Sequence, residues 1–501
     1  MRRVAVAVVS LLFTLACGGS AQPSSTGPKA GGTLKVAQES ELRTLDPHAS
    51  SQLVEREVFY QMYDSLVTVD TKLTIQAGLA TSWSYGDPTT LTFNLRKGVK
   101  FHDGTAFDAS VVKFNIDRIK KDPRSPRFSE IASVDSVEVK DANTAVFHLK
   151  KPDAALLATL VDRAGMMISP AAVAKAGASF GLNPLGAGTG PFMFVEWKRD
   201  DHLTLKKNPN YWQAGKPLLD ELIFRVIIDP TARFTALRTG DVDVVRQIAG
   251  NDVATARTDS NVVYKDAPGL GFGGFYVNSA KPPFNDVSKK KAVAMALDRA
   301  QILKNVFFGV GTVAHGPIPP SSWAFDASEK IYDKADPNGA KSVATGFSFE
   351  LKTTNNPDSV QEAQLIKDQL AKAGITVKIS VEEFGQILNE DTAGNFQASL
   401  VGWSGRIDPD GNMYNHYRTD GGFNDGKYSN PQVDKLLEQA RASTEQSQRR
   451  QYYQQAQRTL VEEVAYVFIN HPNVMQVTTG KVHGFTLYAD GMFRFAGVSK
   501  S

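Results

Sequence analysis

LTFNLRKGVKFHDGTAFDASVVKFNIDR, residues 91–118, contains a strand, a turn and a helix within one short stretch. Apolar residues alternate through LTFNL, which predicts a strand with one buried face. The Asp-Gly pair at 103–104 predicts a tight turn. The next segment, FDASVVKFNIDRIKKD, has apolar residues at helical spacing, with either Asp108 or Ser110 as its N-cap. The stretch therefore predicts a mixed α/β architecture.

A different pattern appears between residues 347 and 403. FSFELKTT and ITVKISVEEF have the composition of strands, SVQEAQLIKDQLAKAG that of a helix ending at Gly374, and ASLVGW that of a third strand. A strand–helix–strand unit of this length predicts parallel pairing with a right-handed crossover. A chain of 501 residues has room for roughly two to four domains. We therefore expect an α/β protein with an early, antiparallel region and a later, parallel region.

The N-terminal segment MRRVAVAVVSLLFTLAC, residues 1–17, has two arginines before an uncharged run. That run is too short to span a bilayer and fits the core of a signal peptide. A small residue before Cys17 resembles a bacterial lipobox, in which the cysteine is lipidated, although Thr14 stands where Leu is usual. The alternative is a signal peptide cleaved elsewhere, with Cys17 incidental. Residues 18–31 are rich in Gly, Ser and Pro and predict a flexible tether.

Composition narrows the classes of function. The net charge of +3 includes the two N-terminal arginines, and a nearly neutral chain argues against nucleic acid as a partner. The lysine run at 289–291 begins a helical pattern, which predicts a solvated helix face. Because Cys17 is the single cysteine, we expect the exported protein to have no disulfide and to depend on its hydrophobic core.

Six segments of the chain, in order, resemble one family: the large extracytoplasmic solute-binding proteins of ABC importers, of the peptide-, nickel- and opine-binding type (family 5), which include dipeptide- and oligopeptide-binding proteins. The segments are GGTLKVA…LDPHAS (31–50), YDSLVTVD…GLATSW (63–83), the opening stretch (91–118), GTGPFMFVEWKRDDHLTLKKNPNYW (188–212), KPPFNDVSKKKAVAMALDRAQI (281–302), and KYSNPQVDKLLEQAR with RQYYQQAQRTLVEE (427–463). One such segment would be weak evidence, but six behind an export signal make the resemblance specific.

The resemblance implies a two-lobed periplasmic-binding-protein-like fold of type II, in its large three-subdomain form, with a hinge between the lobes. Two crossing strands would join the lobes near GLGFGGFYVN and QVTTGK, where glycines let backbones pass closely. The expected division is a lipoprotein signal peptide (1–17), a tether (18–31), a first segment of lobe I (32–60), an inserted subdomain of lobe I (61–182), a second segment of lobe I (183–267), lobe II (268–479) and a C-terminal return to lobe I (480–501).

GWSGRIDPDGN, residues 402–412, combines residue types that occur in three kinds of site. A nucleophile elbow needs G-x-S-x-G, and Arg406 stands at the fifth position, where a β-carbon would clash. A calcium loop needs Gly and Glu at its sixth and twelfth positions, where the chain has Met413 and Thr419. A pocket remains, because ligands of open α/β sheets bind beyond the carboxyl ends of strands. We therefore expect this stretch to lie at a binding cleft.

Within this stretch, Trp403 is expected to be a stacking wall for the ligand, with ordinary core packing as the alternative. The resemblance implies that an Asp three residues after this Trp captures the α-amine in peptide-binding members. Here that position is Arg406, whose planar guanidinium selects a carboxylate or phosphate instead. Asp408 is a second candidate and would hold an amine. The alternative for Arg406 is an ion pair with Asp408 or Asp410 and no contact with ligand.

Asn412, Thr44 and His48 complete the predicted ligand-binding residues. FHDG, residues 101–104, is interpreted as a structural turn, as in the family. The eight histidines show no H-x-H or H-E-x-x-H spacing, so we predict no metal site, no catalytic residue and no cofactor.

The sequence as a whole predicts a monomeric receptor in the periplasm or cell envelope, anchored by lipidated Cys17. It would capture a peptide or a peptide-like, anionic solute and deliver it to an ABC permease with its ATPase subunits. A non-peptide solute, such as an opine-like conjugate, a carboxylate, nickel or a metal–chelator complex, is the alternative ligand. A sensor without transport and an exported enzyme on this scaffold are alternative functions, although no catalytic constellation supports the latter.

Overall fold

The computed structural model describes residues 30–501, so the predicted signal peptide with Cys17 and most of the predicted tether lie outside the described residues. In this range of the chain no helix has the length and the apolar character needed to cross a membrane.

Strands and helices alternate along the whole described chain. The strands are β1 Thr33–Gln38, β2 Val67–Val69, β3 Ile75–Ala77, β4 Ala80–Asp87, β5 Thr90–Leu95, β6 Val134–Asp141, β7 Thr144–Leu149, β8 Phe192–Lys198, β9 His202–Lys207, β10 Glu221–Val226, β11 Val244–Arg246, β12 Val262–Pro268, β13 Gly273–Val277, β14 Thr312–Val313, β15 Ser348–Thr354, β16 Thr376–Glu382, β17 Ala398–Ser399, β18 Tyr466–His471, β19 Asn473–Thr479, β20 Val482–His483 and β21 Ser499–Lys500. The α-helices are α1 Leu53–Met62, α2 Ala109–Lys121, α3 Leu156–Thr159, α4 Pro170–Ala176, α5 Pro230–Thr239, α6 Val253–Thr258, α7 Val287–Ala296, α8 Arg299–Asn305, α9 Pro337–Val343, α10 Pro357–Lys372, α11 Phe384–Thr392, α12 Asp410–Tyr417, α13 Pro431–Ala442 and α14 Gln446–Glu462.

The first lobe is built on a seven-stranded sheet in the order β12-β19-β11-β1-β10-β9-β8. Strand β1 is parallel to both of its neighbours, and its buried Leu34 and Val36 point into the core of this lobe. Phe485, Phe493 and Phe495, near the end of the chain, are buried in the same core. The C-terminal segment therefore packs against the strand with which the described fold begins.

A smaller unit within the first lobe contains the opening stretch of sequence. Its four-stranded antiparallel sheet has the order β4-β5-β7-β6, and α2 packs against β6 and β7. Leu91, Phe93 and Leu95 are buried on one face, as the alternation predicts. The carboxylate of Asp108 accepts hydrogen bonds from the backbone N–H of Ser110 and Val111, at 2.9 and 3.2 Å. Asp108, not Ser110, is therefore the cap of α2.

The second lobe is built on a six-stranded sheet in the order β14-β18-β13-β17-β15-β16. Strands β15 and β16 are parallel and in register along seven residues, and α10 connects them, which confirms the predicted parallel pairing of this strand–helix–strand unit. The predicted strand ASLVGW is shorter than expected, because only Ala398 and Ser399 pair within the sheet. Trp403 instead forms an isolated bridge with Phe272. The end of this segment therefore belongs to a loop and not to the sheet.

Two strand connections pass between the lobes. The first runs from β12 to β13 through the predicted glycine-rich segment, where a β-carbon on Gly271 would lie 2.0 Å from the carbonyl oxygen of Trp403. The second runs from β18 to β19 at Pro472, before the QVTTGK segment that the sequence indicated. The first four residues of that segment lie in β19, which pairs with β12 along its whole length. His471 Nδ1 lies 2.9 Å from the Gly271 carbonyl oxygen and links the two connections.

The lysine run at 289–291 departs from its predicted solvated face at one residue. Lys290 is buried, and its ammonium donates a hydrogen bond to Ser279 Oγ at 3.2 Å. Burial lowers the pKa of Lys290. The middle lysine of the run is therefore a packing residue of α7, and its long aliphatic stem accounts for that placement.

Candidate functional site

A cavity lies between the two lobes, with an empty volume of about 450 Å³ that is partly open to solvent. Glu130, Thr159 and Asp162 line it from the first lobe. Arg406 and Asp408 of the loop before α12, together with residues of α12 itself, line it from the second lobe. The stretch that the sequence indicated as a cleft thus forms one wall of a cavity between the two lobes.

The loop that carries Arg406 is held against the first crossing strand. Phe272 and Trp403 exchange two backbone hydrogen bonds, at 3.0 and 2.8 Å, and Leu270 bridges to Gly405. Gly405 has φ +81° and meets Leu270 so closely that a β-carbon would lie 2.2 Å from its carbonyl carbon. Glycine is therefore required there. This close contact with the crossing strand fixes the position of the loop that carries Arg406 into the cavity.

Arg406 reaches across the cavity to the first lobe. Its Nε lies 3.2 Å from Asp162 Oδ2, and its guanidinium carbon lies 4.3 Å from the ring centroid of Trp403. The alternative partners expected from the sequence, Asp408 and Asp410, are wrong: both carboxylates are engaged elsewhere. Burial and the neighbouring charge of Arg56 lower the pKa of Arg406 to about 9.

Asp408 and Asp410 are paired with arginines of the second lobe. Arg449 donates two hydrogen bonds to Asp408, at 2.9 and 2.7 Å. Arg441 Nε donates to Asp410 Oδ2 at 3.1 Å, and its Nη2 donates to Oδ1. Burial raises the pKa of Asp408 although Arg449 opposes this shift. A solute amine at Asp408 would therefore share that carboxylate with Arg449.

Trp403 and Asn412 give the loop its shape. The half-buried indole lies against His416 and Phe423, with ring centroids 4.3 and 5.4 Å away, and donates to Asn412 Oδ1 at 3.2 Å. Asn412 Oδ1 also accepts from the backbone N–H of Arg406, and its Nδ2 donates to two backbone carbonyls. Asn412 thus uses its amide on protein groups, and stacking of Trp403 on a solute stays a prediction.

Thr44 and His48 are not among the residues that line the cavity. The buried ring of His48 lies 2.9 Å from Arg118 Nη1 and 3.2 Å from the Met166 carbonyl oxygen. Burial lowers the pKa of His48 to about 4. Thr44 Oγ1 donates a long hydrogen bond to the Gly181 carbonyl. The structure therefore places both residues in the internal packing of the first lobe.

Three arginines that the sequence did not indicate lie around Asp162. Arg56 Nη2 lies 2.9 Å from Asp162 Oδ2, Arg163 Nε lies 3.5 Å from its Oδ1, and Arg127 pairs with Glu130 at 2.5 Å. Burial would raise the pKa of Asp162, but these charges outweigh it and hold the pKa well below its usual range. With Arg406, they form what we call the basic end of the cavity: four guanidinium groups (Arg56, Arg127, Arg163 and Arg406) around two carboxylates (Asp162 and Glu130).

A second cluster beside the cavity contains more carboxylates than guanidinium groups. Asp153 lies 3.8 Å from Arg441 Nε, so Asp153, Asp408 and Asp410 face two guanidinium groups. Burial raises the pKa of Asp153. Within residues 30–501 no group of three or more His, Cys, Asp or Glu side chains is arranged to hold a metal ion. One cluster beside the cavity therefore has more guanidinium groups than carboxylates, and the other has more carboxylates than guanidinium groups.

His416 packs against Trp403. The change in protein stability between neutral and acidic pH therefore tests the burial of His416 in this part of the cavity wall. Burial lowers the pKa of His416 to about 3, with Arg406 adding to the shift. Between pH 7.5 and 4.5 the unfolded chain protonates this histidine and the folded protein does not, so stability is lost as pH falls. We expect His416→Phe to remove about 2–3 kcal/mol of that loss, measured as unfolding free energy at both pH values. The same change at exposed His483 should leave the loss unchanged; an unaltered loss in His416→Phe would contradict the prediction.

Comparisons with known proteins agree with this architecture. The glutathione-binding protein GsiB of Pectobacterium atrosepticum is 29% identical to this chain over 484 residues, covering 92% of each. Di/tripeptide-binding protein 1 of Pseudomonas aeruginosa is 30% identical over 460 residues, covering 84% of this chain and 85% of that protein. The structure of the ABC transporter-associated periplasmic binding protein DppA from Helicobacter pylori, in complex with peptide STSA, matches with a TM-score of 0.87 at 27% identity, covering 94% of this chain and 98% of that one.

A family profile described as bacterial extracellular solute-binding proteins, family 5 Middle, matches residues 74–425. That range is more than half of the chain, and the predicted resemblance and two-lobed α/β fold are both confirmed. Members of this family bind solutes for transport and are not enzymes. The chain belongs to the bacterial extracellular solute-binding proteins, family 5.

Proposed function

We propose that this protein captures a peptide-like solute in the inter-lobe cavity and delivers it to an ABC permease. The observation that carries the proposal is the cavity itself, which is lined by both lobes and lies beside one cluster rich in guanidinium groups and another rich in carboxylates. A peptide-like molecule has both an amine and a carboxylate and so matches that charge difference. The similar proteins named for binding glutathione, di- and tripeptides and the peptide STSA support the same class of ligand.

The proposed mechanism is closure of the lobes around the solute. Contacts across the cavity support it: Arg56 Nη1 donates to Ser404 Oγ at 3.2 Å, and the backbone N–H of Ala154 donates to the Arg441 carbonyl at 2.8 Å. The two connections at Gly271 and Pro472 are short, so the lobes can rotate about them without losing their own sheets. The closed form then docks on the permease, and no step requires a nucleophile or an acid–base pair.

The proposal includes export and attachment to the membrane through lipid on Cys17. The short apolar run and the small residue before the cysteine support it. A tether of Gly, Ser and Pro would let the lobes reach the permease while the lipid stays in the membrane. A periplasmic or cell-envelope location follows from this arrangement.

Thermal stabilisation by ligand tests the proposed function. The protein without residues 1–17 is heated alone and with free-amine peptides, N-acetylated peptides or amine-free dicarboxylates. A ligand at about 1,000 times its dissociation constant stabilises the folded state by about 4 kcal/mol, so we expect a clear rise in Tm with at least one peptide class. Free amino acids serve as the control for nonspecific effects. Absence of stabilisation by every peptide would contradict capture of a peptide-like solute.

A further inference from the structure

The basic end of the cavity contains buried guanidinium N–H groups that have no acceptor. Among the described residues, five nitrogens of this cluster make no hydrogen bond, against one carboxylate oxygen, Asp162 Oδ2; the nitrogens are Nε of Arg56 and Arg163, Nε and Nη2 of Arg127, and Nη2 of Arg406. The side chain of Arg127 is 0% exposed and that of Arg406 is 12% exposed, so bulk water does not readily replace the missing acceptors. Buried polar groups are normally paired, and these unpaired donors point to a group that the folded chain does not itself supply.

The charges of the same cluster are also unbalanced. Asp162 is shared by Arg56, Arg163 and Arg406, while Glu130 is engaged by Arg127. Four guanidinium groups therefore face two carboxylates, in a region where burial makes unpaired charge costly. An anion bound beside Arg406 would supply both the missing acceptors and the missing negative charge.

Arg406 is the arginine of the cluster that lines the cavity. Its Nε is used by Asp162 and its Nη1 by the Gly405 carbonyl oxygen, so Nη2 is the guanidinium nitrogen that has no acceptor. Arg127 lies behind two lining residues, since it pairs with Glu130 and its guanidinium carbon is 5.5 Å from the ring centroid of Phe423. The geometry therefore separates a direct contact, Arg406, from supporting charges.

We propose that the basic end binds a carboxylate of the solute through Arg406, with Arg56, Arg127 and Arg163 supporting it, so that the transported molecules are acidic peptides or peptide-like acids. This inference rests on the proposed function and names its substrate class. A carboxylate suits the site because its two oxygens accept hydrogen bonds in the plane of a guanidinium. A neutral peptide has only its C-terminal carboxylate to place beside Arg406, whereas an acidic side chain supplies a second carboxylate for these donors and this excess charge.

Isothermal titration with matched tripeptides tests the inference. The probes are trialanine derivatives with glutamate at one of the three positions, and the same peptides with glutamine there. In the unaltered protein, glutamate at one position is expected to bind about 10–100-fold more tightly than glutamine, as for other buried charge pairs. In Arg406→Gln this ratio should fall to within about twofold. Arg124→Gln, a matched change at a side chain that is 89% exposed, should keep the original ratio.

The possible results distinguish failure of the carboxylate inference from failure of the proposed function on which it rests. Equal binding of glutamate and glutamine peptides by the unaltered protein would overturn the inference and leave the proposed function standing. A ratio that survives in Arg406→Gln would also overturn it. Failure of every peptide to bind would overturn the proposed function and the inference together. Tighter binding of phosphoserine peptides than of glutamate peptides would assign the site to phosphate instead of carboxylate. The comparison of peptides in the unaltered protein does not depend on the folding of any variant.

Discussion

Asp162→Asn is expected to lower the free energy of unfolding by about 3–5 kcal/mol, because it removes one partner of a buried ion-pair cluster. Asp162 is 4% exposed, and Arg56, Arg163 and Arg406 all lie within 3.5 Å of its oxygens. Asparagine keeps the shape and loses the charge, so three buried guanidinium groups lose their shared counter-ion. Denaturant unfolding of the ligand-free protein, followed by circular dichroism, measures the change.

The same substitution at an exposed ion pair is the matched control. Asp122 pairs with Arg124 at 2.9 Å on the surface, and Asp122→Asn should produce no detectable change because exposed pairs contribute little. If charge is the cause, Arg406→Gln should recover some of the stability lost in Asp162→Asn, which a double-mutant cycle would reveal. An Asp162→Asn protein as stable as the original would mean that the guanidinium groups do not depend on this carboxylate.

The local elements of the fold were predictable because their causes lie within a few residues. The alternation of Leu91, Phe93 and Leu95 placed a strand, and the short polar side chain of Asp108 placed the start of a helix. The second passage between the lobes was misplaced because it depends on β19 pairing with β12, a strand some two hundred residues earlier. Pro472 marks the break between β18 and β19, but no local pattern reveals that the two strands belong to different sheets.

The site was predictable only for the residues of one loop. Arg406 and Asp408 line the cavity as the loop sequence indicated, but the ionic partner of Arg406 was sought among its neighbours in sequence. Its actual partner, Asp162, comes from another lobe. A lone arginine such as Arg56 or Arg127 gives no signal in a single sequence, since the cluster exists only when distant segments meet.

Arg406→Asp is expected to weaken binding of a glutamate-bearing peptide by about 1,000-fold, equivalent to about 4 kcal/mol. The variant loses the guanidinium that would bind the peptide carboxylate and puts a like charge in its place. The new carboxylate would have Arg56, Arg127 and Arg163 as neighbours, but it would also lie towards Asp162, so circular dichroism first establishes that the variant is folded. Isothermal titration with the glutamate and glutamine peptides measures the loss, and Arg124→Asp, which alters net charge equally at an exposed site, should bind like the original protein.

The direction of the change in peptide preference is more informative than the size of the change in affinity, because the two possible roles of Arg406 predict different outcomes. If Arg406 contacts the solute, reversal of its charge should make a lysine-bearing peptide bind more tightly than its glutamate counterpart. If Arg406 serves only Asp162, the variant should lose stability while both peptides keep their original affinities. A solute that bound equally well before and after the change would therefore remove Arg406 from the binding site and leave it a structural link between the lobes.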